Sequence, residues 1–208
     1  MTAMTNYTVN HFLVDNLFRG QTTAIPTSLF YGLFIASNGF AAVSTVYTTG
    51  QTVIPATPNG HLYKATTGGT SGGTAPTWPT TSGGTVTDGS VVWTEQTPSL
   101  LAGTFTEASY TGYGRVTQAS SLADWSGTQS AGSTTASTGT SGQTSNNNII
   151  TFGAPTSAQT GIVVGMFLAD ASSAGNIIVW SMLTNPKTIN NGDAAPNFPA
   201  AAFTITWA

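Results

Sequence analysis

The sequence predicts a mainly β fold: an antiparallel β-sandwich or jelly-roll-like domain with one short N-terminal helix and a small inserted β module. Three observations carry that prediction. Three apolar runs of strand length, residues 29–36, 161–168 and 176–183, are rich in aromatic and β-branched side chains and bounded by turn formers. Only one stretch shows helical spacing, and between residues 43 and 98 the composition shifts abruptly to a Pro-, Thr- and Gly-rich tract.

Residues 7–19 read as the helix. Val9, Phe12, Leu13, Leu17 and Phe18 recur at helical spacing, Thr5 or Asn6 can cap the start, and Gly20 stands where a terminating glycine belongs. His11 and Asp15 lie four apart and can pair on the outer side. After the break at Pro26 comes the first core strand, 29–36. Weaker strands are expected at 103–106, 113–118, 148–152 and 203–207, the last alternating so that Phe203, Ile205 and Trp207 share one face. Asn190-Asn191-Gly192-Asp193 marks a turn. Residues 126–145 are almost purely Ser, Thr, Gly, Ala and Gln. With so little to bury, they predict a long exposed loop or an edge hairpin.

The tract from 43 to 98 holds five of the ten prolines, and its apolar residues come in very short groups. It reads as an insertion, which divides the chain into a discontinuous sandwich domain, 1–43 plus 100–208, and a small β module, 44–99. Within the module, strands are expected at 60–65 and 90–95, with Asp88-Gly89 as the turn between them.

Only 11 of 208 residues are Asp, Glu, Lys or Arg, and the net charge is -3. The chain carries 39 Thr and 20 Ser, so hydroxyls, amides and backbone must solvate its surface. With 39% apolar residues it can still bury a core. A surface so poor in ions can lie against copies of itself without the desolvation penalty of buried charge, and such contacts change little with salt or pH. Assembly is therefore expected. The four basic residues, Arg19, Lys64, Arg115 and Lys187, are scattered, which argues against nucleic acid and anionic membrane as partners. No run approaches 18 apolar residues and the first residues lack a secretory pattern, so a soluble product without membrane insertion is expected.

Catalytic chemistry finds little support. The seven acids are dispersed in sequence, whereas a two-carboxylate hydrolase needs a close pair. His11 and His61 are not near a nucleophile elbow. No cysteine, HExxH helix or DxDxDG loop offers a metal site, and the glycine runs lack a phosphate-cradle context. No enzyme activity, cofactor or metal is expected. The aromatics of the module are the remaining candidates: Trp78, flanked by Pro76 and Pro79, is a plausible platform for stacking a sugar ring, with Tyr63 and Trp93 beside it as further glycan-binding candidates. For Tyr63 and Trp93 the core of a small module is the favoured reading, and for Trp78 core and platform weigh equally. Trp125 reads as a satellite core residue or a subunit contact.

The helix, the strand LFYGLF, then YGRVTQA, NIITF, GIVVGMFLAD, NIIVWSMLTNPKTINNGD and the closing FTITW together resemble the small tail-fibre virion proteins of tailed bacteriophages. The resemblance covers residues 7–42 and 103–208, and its most specific piece is LTNPKTINNGD, residues 183–193. The insert, residues 57–95, is similar to a second recurrent phage module likened in some cases to small carbohydrate-binding folds. The resemblance implies a non-enzymatic structural protein made in the host cytoplasm and displayed on the virion exterior, as a tail fibre, a tail-associated protein or a capsid decoration (cement) protein. The expected partners are itself, as a homotrimer or other symmetric homo-oligomer, and other virion proteins of the capsid or tail. In such an assembly the helix and core strands would dock and oligomerise while the insert faces outward. The alternative is a carbohydrate-binding adhesin contacting host surface polysaccharide through the insert.

Overall fold

The structure is a computed structural model and describes residues 2–127, 137 and 142–206. Its strands are β1 (Thr2–Met4), β2 (Ser28–Ala36), β3 (Val46–Tyr47), β4 (Thr52–Val53), β5 (Tyr63–Thr67), β6 (Gly69–Thr70), β7 (Thr85–Asp88) and β8 (Val91–Glu95), followed by β9 (Val116–Ala119), β10 (Gln143–Ser145), β11 (Ile150–Thr151), β12 (Ile162–Ala169), β13 (Ile177–Lys187), β14 (Asn197–Phe198) and β15 (Thr204–Thr206). Two helical pieces join them: α1 (Asn6–Thr8), which runs directly into a π-helical segment Val9–Phe18, and α2 (Thr97–Leu101).

The three apolar runs become β2, β12 and β13 at the heart of an antiparallel sheet ordered β1-β13-β12-β2-β9. Every residue of β12 is buried, as are Tyr31–Ala36 of β2, because the sheet is covered on both faces. Side chains alternate across it. Tyr31, Leu33, Ile35, Val163, Met166 and Leu168 face one core, closed by residues of the second layer such as Ile150, Phe152, Phe203 and Ile205. That layer consists of two short antiparallel pairs, β10–β15 and β11–β14. The protein is thus mainly β and built as a sandwich, with the expected strand faces of Phe203 and Ile205.

Phe34, Ala36, Val164, Phe167 and Trp180 face the opposite core. It is completed by Ile54 and Leu62 from the inserted tract and Leu100 from α2. The insert does not hang from the sandwich; two of its apolar side chains help to close a sheet face. Its own sheet, β4-β5-β8-β7, is larger than the two strands expected, because the Thr/Gly tract contributes β7, and the Asp88-Gly89 turn joins β7 to β8.

Two glycines in the central strands have a specific reason. Gly32 of β2 lies opposite Phe167 of β12, and Gly165 of β12 lies opposite Phe34 of β2. In each case the phenyl ring lies over the glycine, where a Cβ would collide with it. The motifs LFYGLF and GIVVGMF are therefore two halves of one reciprocal packing arrangement.

Several sequence expectations are corrected. The helix is capped by Thr5, whose hydroxyl accepts from the Thr8 amide, and Gly20 has the positive φ of 64° expected after its end. Val9–Phe18, however, winds as a π-helix with none of its residues buried, so its apolar side is not a core face. Asp15 makes the expected contact with His11, at 4.0 Å, and a shorter one with Arg19, at 2.5 Å. Residues 103–106 form no strand: Pro98 sits in the first turn of α2, and the chain beyond it touches β2 through Ile35 N to Thr106 O and one bridge, Phe34 to Glu107. Trp207 and most of residues 126–145 lie outside the described residues; the end of that stretch forms β10.

Candidate functional site

The module's candidate aromatics are positioned by strand alternation. On β5, Tyr63 and Ala65 point inward; on β8, Val91, Trp93 and Glu95 do so. Tyr63 and Trp93 are fully buried and form the module core with Tyr47 and Val53. Trp78 arrives from the long connection between β6 and β7. Its ring centroid lies 4.5 Å from Tyr63 and 5.8 Å from Trp93, closing the core as a half-buried lid. Of the three rings, only Trp78 reaches solvent.

The lid is tied down by polar atoms. The Tyr63 hydroxyl donates to Pro79 O at 2.9 Å and accepts from the Asn59 side-chain amide at 2.8 Å. Burial raises its pKa above the ordinary tyrosine value. The Trp93 indole N–H donates to Asp88 Oδ2 at 3.2 Å, and Asp88 Oδ1 accepts from the Gly72 amide at 2.8 Å. Asp88, expected only as a turn residue, therefore also holds the loop carrying Trp78.

Beside this cluster lies an acid that the sequence presents only as one of seven dispersed carboxylates, nearest to Asp88. Glu95 is fully buried. Its Oε1 accepts from the Thr97 hydroxyl at 2.6 Å and contacts His61 Nδ1 at 2.9 Å, while Oε2 accepts from Gly83 N at 2.9 Å and Thr97 N at 3.0 Å. Burial by itself would raise its pKa, but the bonds from Thr97, His61 and Gly83 together outweigh burial and hold it below the ordinary glutamate value. The signal was present: Val91, Trp93 and Glu95 are two apart, so β8 must aim an acid inward.

A second polar lock secures the sandwich. Arg115 forms a bidentate pair with Glu107, at 2.9 Å from Nε and 2.8 Å from Nη2, and Nη1 donates to Ala171 O at 2.7 Å and Ala174 O at 2.8 Å. Its guanidinium lies 4.9 Å over the Phe167 ring. The Glu107 pairing raises the arginine's pKa against the opposing effect of burial. Tyr113 donates to Glu107 Oε1 at 2.7 Å and accepts from Leu33 N, which stitches residues 107–115 to β2.

Each of the seven carboxylates thus accepts bonds from the chain itself. Asp124 accepts from Ser121 and Asn148, Asp170 from Asn176, Asp193 from Asn190, and Asp15 from Arg19. Among the described residues no group of three His, Asp or Glu gathers as a metal site, and no helix is long and apolar enough to cross a membrane. A cleft of about 420 Å³ opens where β13 bulges away from β12 between Met182 and Lys187, with Leu33, Val163 and Ile189 among the residues lining it.

The sandwich is poor in charge, and its seven carboxylates all accept bonds from its own chain. Residues 93–206 match the family described as podophage GP4 fiber I protein gp80. The match spans β8 through β15 and includes residues 183–193. The chain belongs to this family and is a structural fibre protein of a bacteriophage virion. No curated protein matches it.

Proposed function

We propose that the protein is a non-catalytic structural component displayed on the outside of a tailed-phage virion, as a symmetric homo-oligomer that contacts other capsid or tail proteins. A homotrimer in a tail fibre or tail-associated position is the preferred form; a capsid decoration position is the variant of the same role. The observation that carries this reading is the fibre-family match over residues 93–206. Immunogold labelling of intact particles tests it: label on an exterior appendage or shell is expected, and unlabelled intact particles that become labelled only after disruption would overturn exterior display.

A second role, as an adhesin for host surface polysaccharide, draws support from one feature. Trp78 is a half-buried indole between Pro76 and Pro79 that still reaches solvent, packed against Tyr63 and Trp93. Glycan titration against wild type and Trp78→Ala tests it. Binding that Trp78→Ala abolishes supports the adhesin, and no binding by either protein refutes it.

A further inference from the structure

Three Asn-Gly pairs occur in the chain, Asn38-Gly39, Asn59-Gly60 and Asn191-Gly192. An asparagine followed by glycine can lose its side-chain amide without an enzyme. The glycine's backbone nitrogen attacks the asparagine Cγ, and glycine has no side chain to stand in the way. That nitrogen must first give up its proton, so an amide already donating to a carbonyl is held back from attack. All three asparagines are exposed, and the fold distinguishes them by what it does with the glycine amide.

Gly39 N donates to Ala36 O at 3.1 Å, and Gly192 N donates to Pro155 O at 2.9 Å. Gly60 N makes no hydrogen bond among the described residues, and the space where a side chain would stand at Gly60 is open. The group to be attacked is also prepared. The Asn59 side-chain oxygen accepts from the His61 amide at 3.1 Å, a donor aimed at the atom on which negative charge gathers when Cγ is attacked. The Asn59 side-chain nitrogen donates to the Tyr63 hydroxyl at 2.8 Å, which fixes the orientation of the side chain.

We infer that Asn59 is a site at which the folded protein modifies itself, by deamidation through a cyclic imide with Gly60, and that the product releases the Trp78 lid. Water takes the Gly60 amide proton, the nitrogen bonds to Asn59 Cγ, and the Cγ–Nδ2 bond breaks as ammonia leaves with a proton from water. A second water then opens the imide by breaking one of its C–N bonds. Opening at Cγ gives aspartate on the ordinary backbone, and opening at the main-chain carbonyl gives isoaspartate. Water is the co-reactant throughout.

The consequence follows from proton counting at Tyr63. Its hydroxyl has a single proton, donated to Pro79 O at 2.9 Å, while it accepts from Asn59. A carboxylate at position 59 can only accept. The hydroxyl proton turns to it, because a bond to a charged oxygen is stronger than one to a carbonyl, and Pro79 O loses its donor. Pro79 directly follows Trp78, so the lid loses the tie at its edge.

Peptide mapping by mass spectrometry during incubation of the full-length protein at mildly alkaline pH tests the assignment, with the other two Asn-Gly pairs as internal controls. In the folded protein, Asn59 should convert at least about tenfold faster than Asn38 or Asn191, whose glycine amides must first surrender a hydrogen bond. In urea the three rates should converge. Conversion at Asn59 no faster than at the other two in the folded protein would overturn the assignment. A ranking that persists unchanged in urea would trace the difference to local sequence and overturn the role of the fold. The lid is tested separately by fluorotryptophan NMR on Asn59→Asp, with the Trp78 resonance assigned through Trp78→Phe. That resonance should move toward its position in the unfolded protein, and an unmoved resonance would overturn release of the lid.

Discussion

Replacing Glu95 by Gln should loosen the inserted module at its root and flatten the protein's acid stability profile. The carboxylate is fully buried and receives four hydrogen bonds of 2.6 to 3.0 Å, from Thr97 Oγ1, Thr97 N, Gly83 N and His61 Nδ1. A bond to a charged acceptor contributes about 1.5–3 kcal/mol against roughly 0.5–1.5 for a neutral one. The amide can keep its oxygen toward Gly83 and turn its NH2 toward His61 and Thr97, so charge assistance is lost but the bonds are not all broken. The expected cost is about 2–3 kcal/mol, a fall in Tm of about 5–10 °C for a chain of this size. Glu95→Ala, which strands the Gly83 and Thr97 amides, should cost more. The pH dependence follows from the direction of the shift. A carboxyl held below 4.5 in the folded state contributes stability that is fully present above that value and is lost as pH falls through the lower folded pKa. In thermal melts the gap between wild type and Glu95→Gln should therefore be constant well above pH 4.5 and narrow as pH falls below it. Melts within about 1 °C of each other at pH 7 would refute the bracing role of Glu95.

Three further perturbations have defined outcomes. Gly165→Ala forces a methyl group into the space of the Phe34 ring and should lower stability by about 1–3 kcal/mol in urea unfolding, with Gly32→Ala behaving alike against Phe167. Arg115→Lys loses the two-pronged bond to Glu107 and the bonds to Ala171 and Ala174, so it should cost about 2 kcal/mol by the same assay. Deleting residues 44–99 behind a short Gly linker removes Ile54 and Leu62 from the face formed by Phe34, Phe167 and Trp180. That variant should bind a hydrophobic dye and melt well below wild type, and an unchanged melting temperature would show that the insert is energetically separate.

How much of this was legible in the sequence depended on whether the signal was local. The three central strands are legible because residues 29–36, 161–168 and 176–183 are dominated by apolar side chains, as β12 and most of β2, buried on both faces, require; β13, which carries Ser181, is buried only in part. Their glycines made sense only across strands, since the ring over Gly32 belongs to Phe167. The helix was placed within a residue or two, but its π winding and its exposed side could not be read from spacing alone. Short strands such as β3, β4 and β6 are set by pairing over two residues and carry no periodicity to detect. At the candidate site, Trp78, Tyr63 and Trp93 were found together by their aromatic character, while the division between core and lid required the fold. Asp88 reads from sequence as a turn residue and Glu95 as one of the dispersed acids; their bracing roles need the fold, because Gly72, Gly83 and His61 lie 12 to 34 residues away from the acids they bond, and only Thr97 is a near neighbour of Glu95.

The most direct test is a cryo-electron microscopy reconstruction of the intact virion at a resolution that distinguishes strands. The predicted result is the sheet β1-β13-β12-β2-β9, with its capping module, repeated by rotational symmetry in an external appendage or coat. A map that accounts for every exterior feature without this chain would contradict the account.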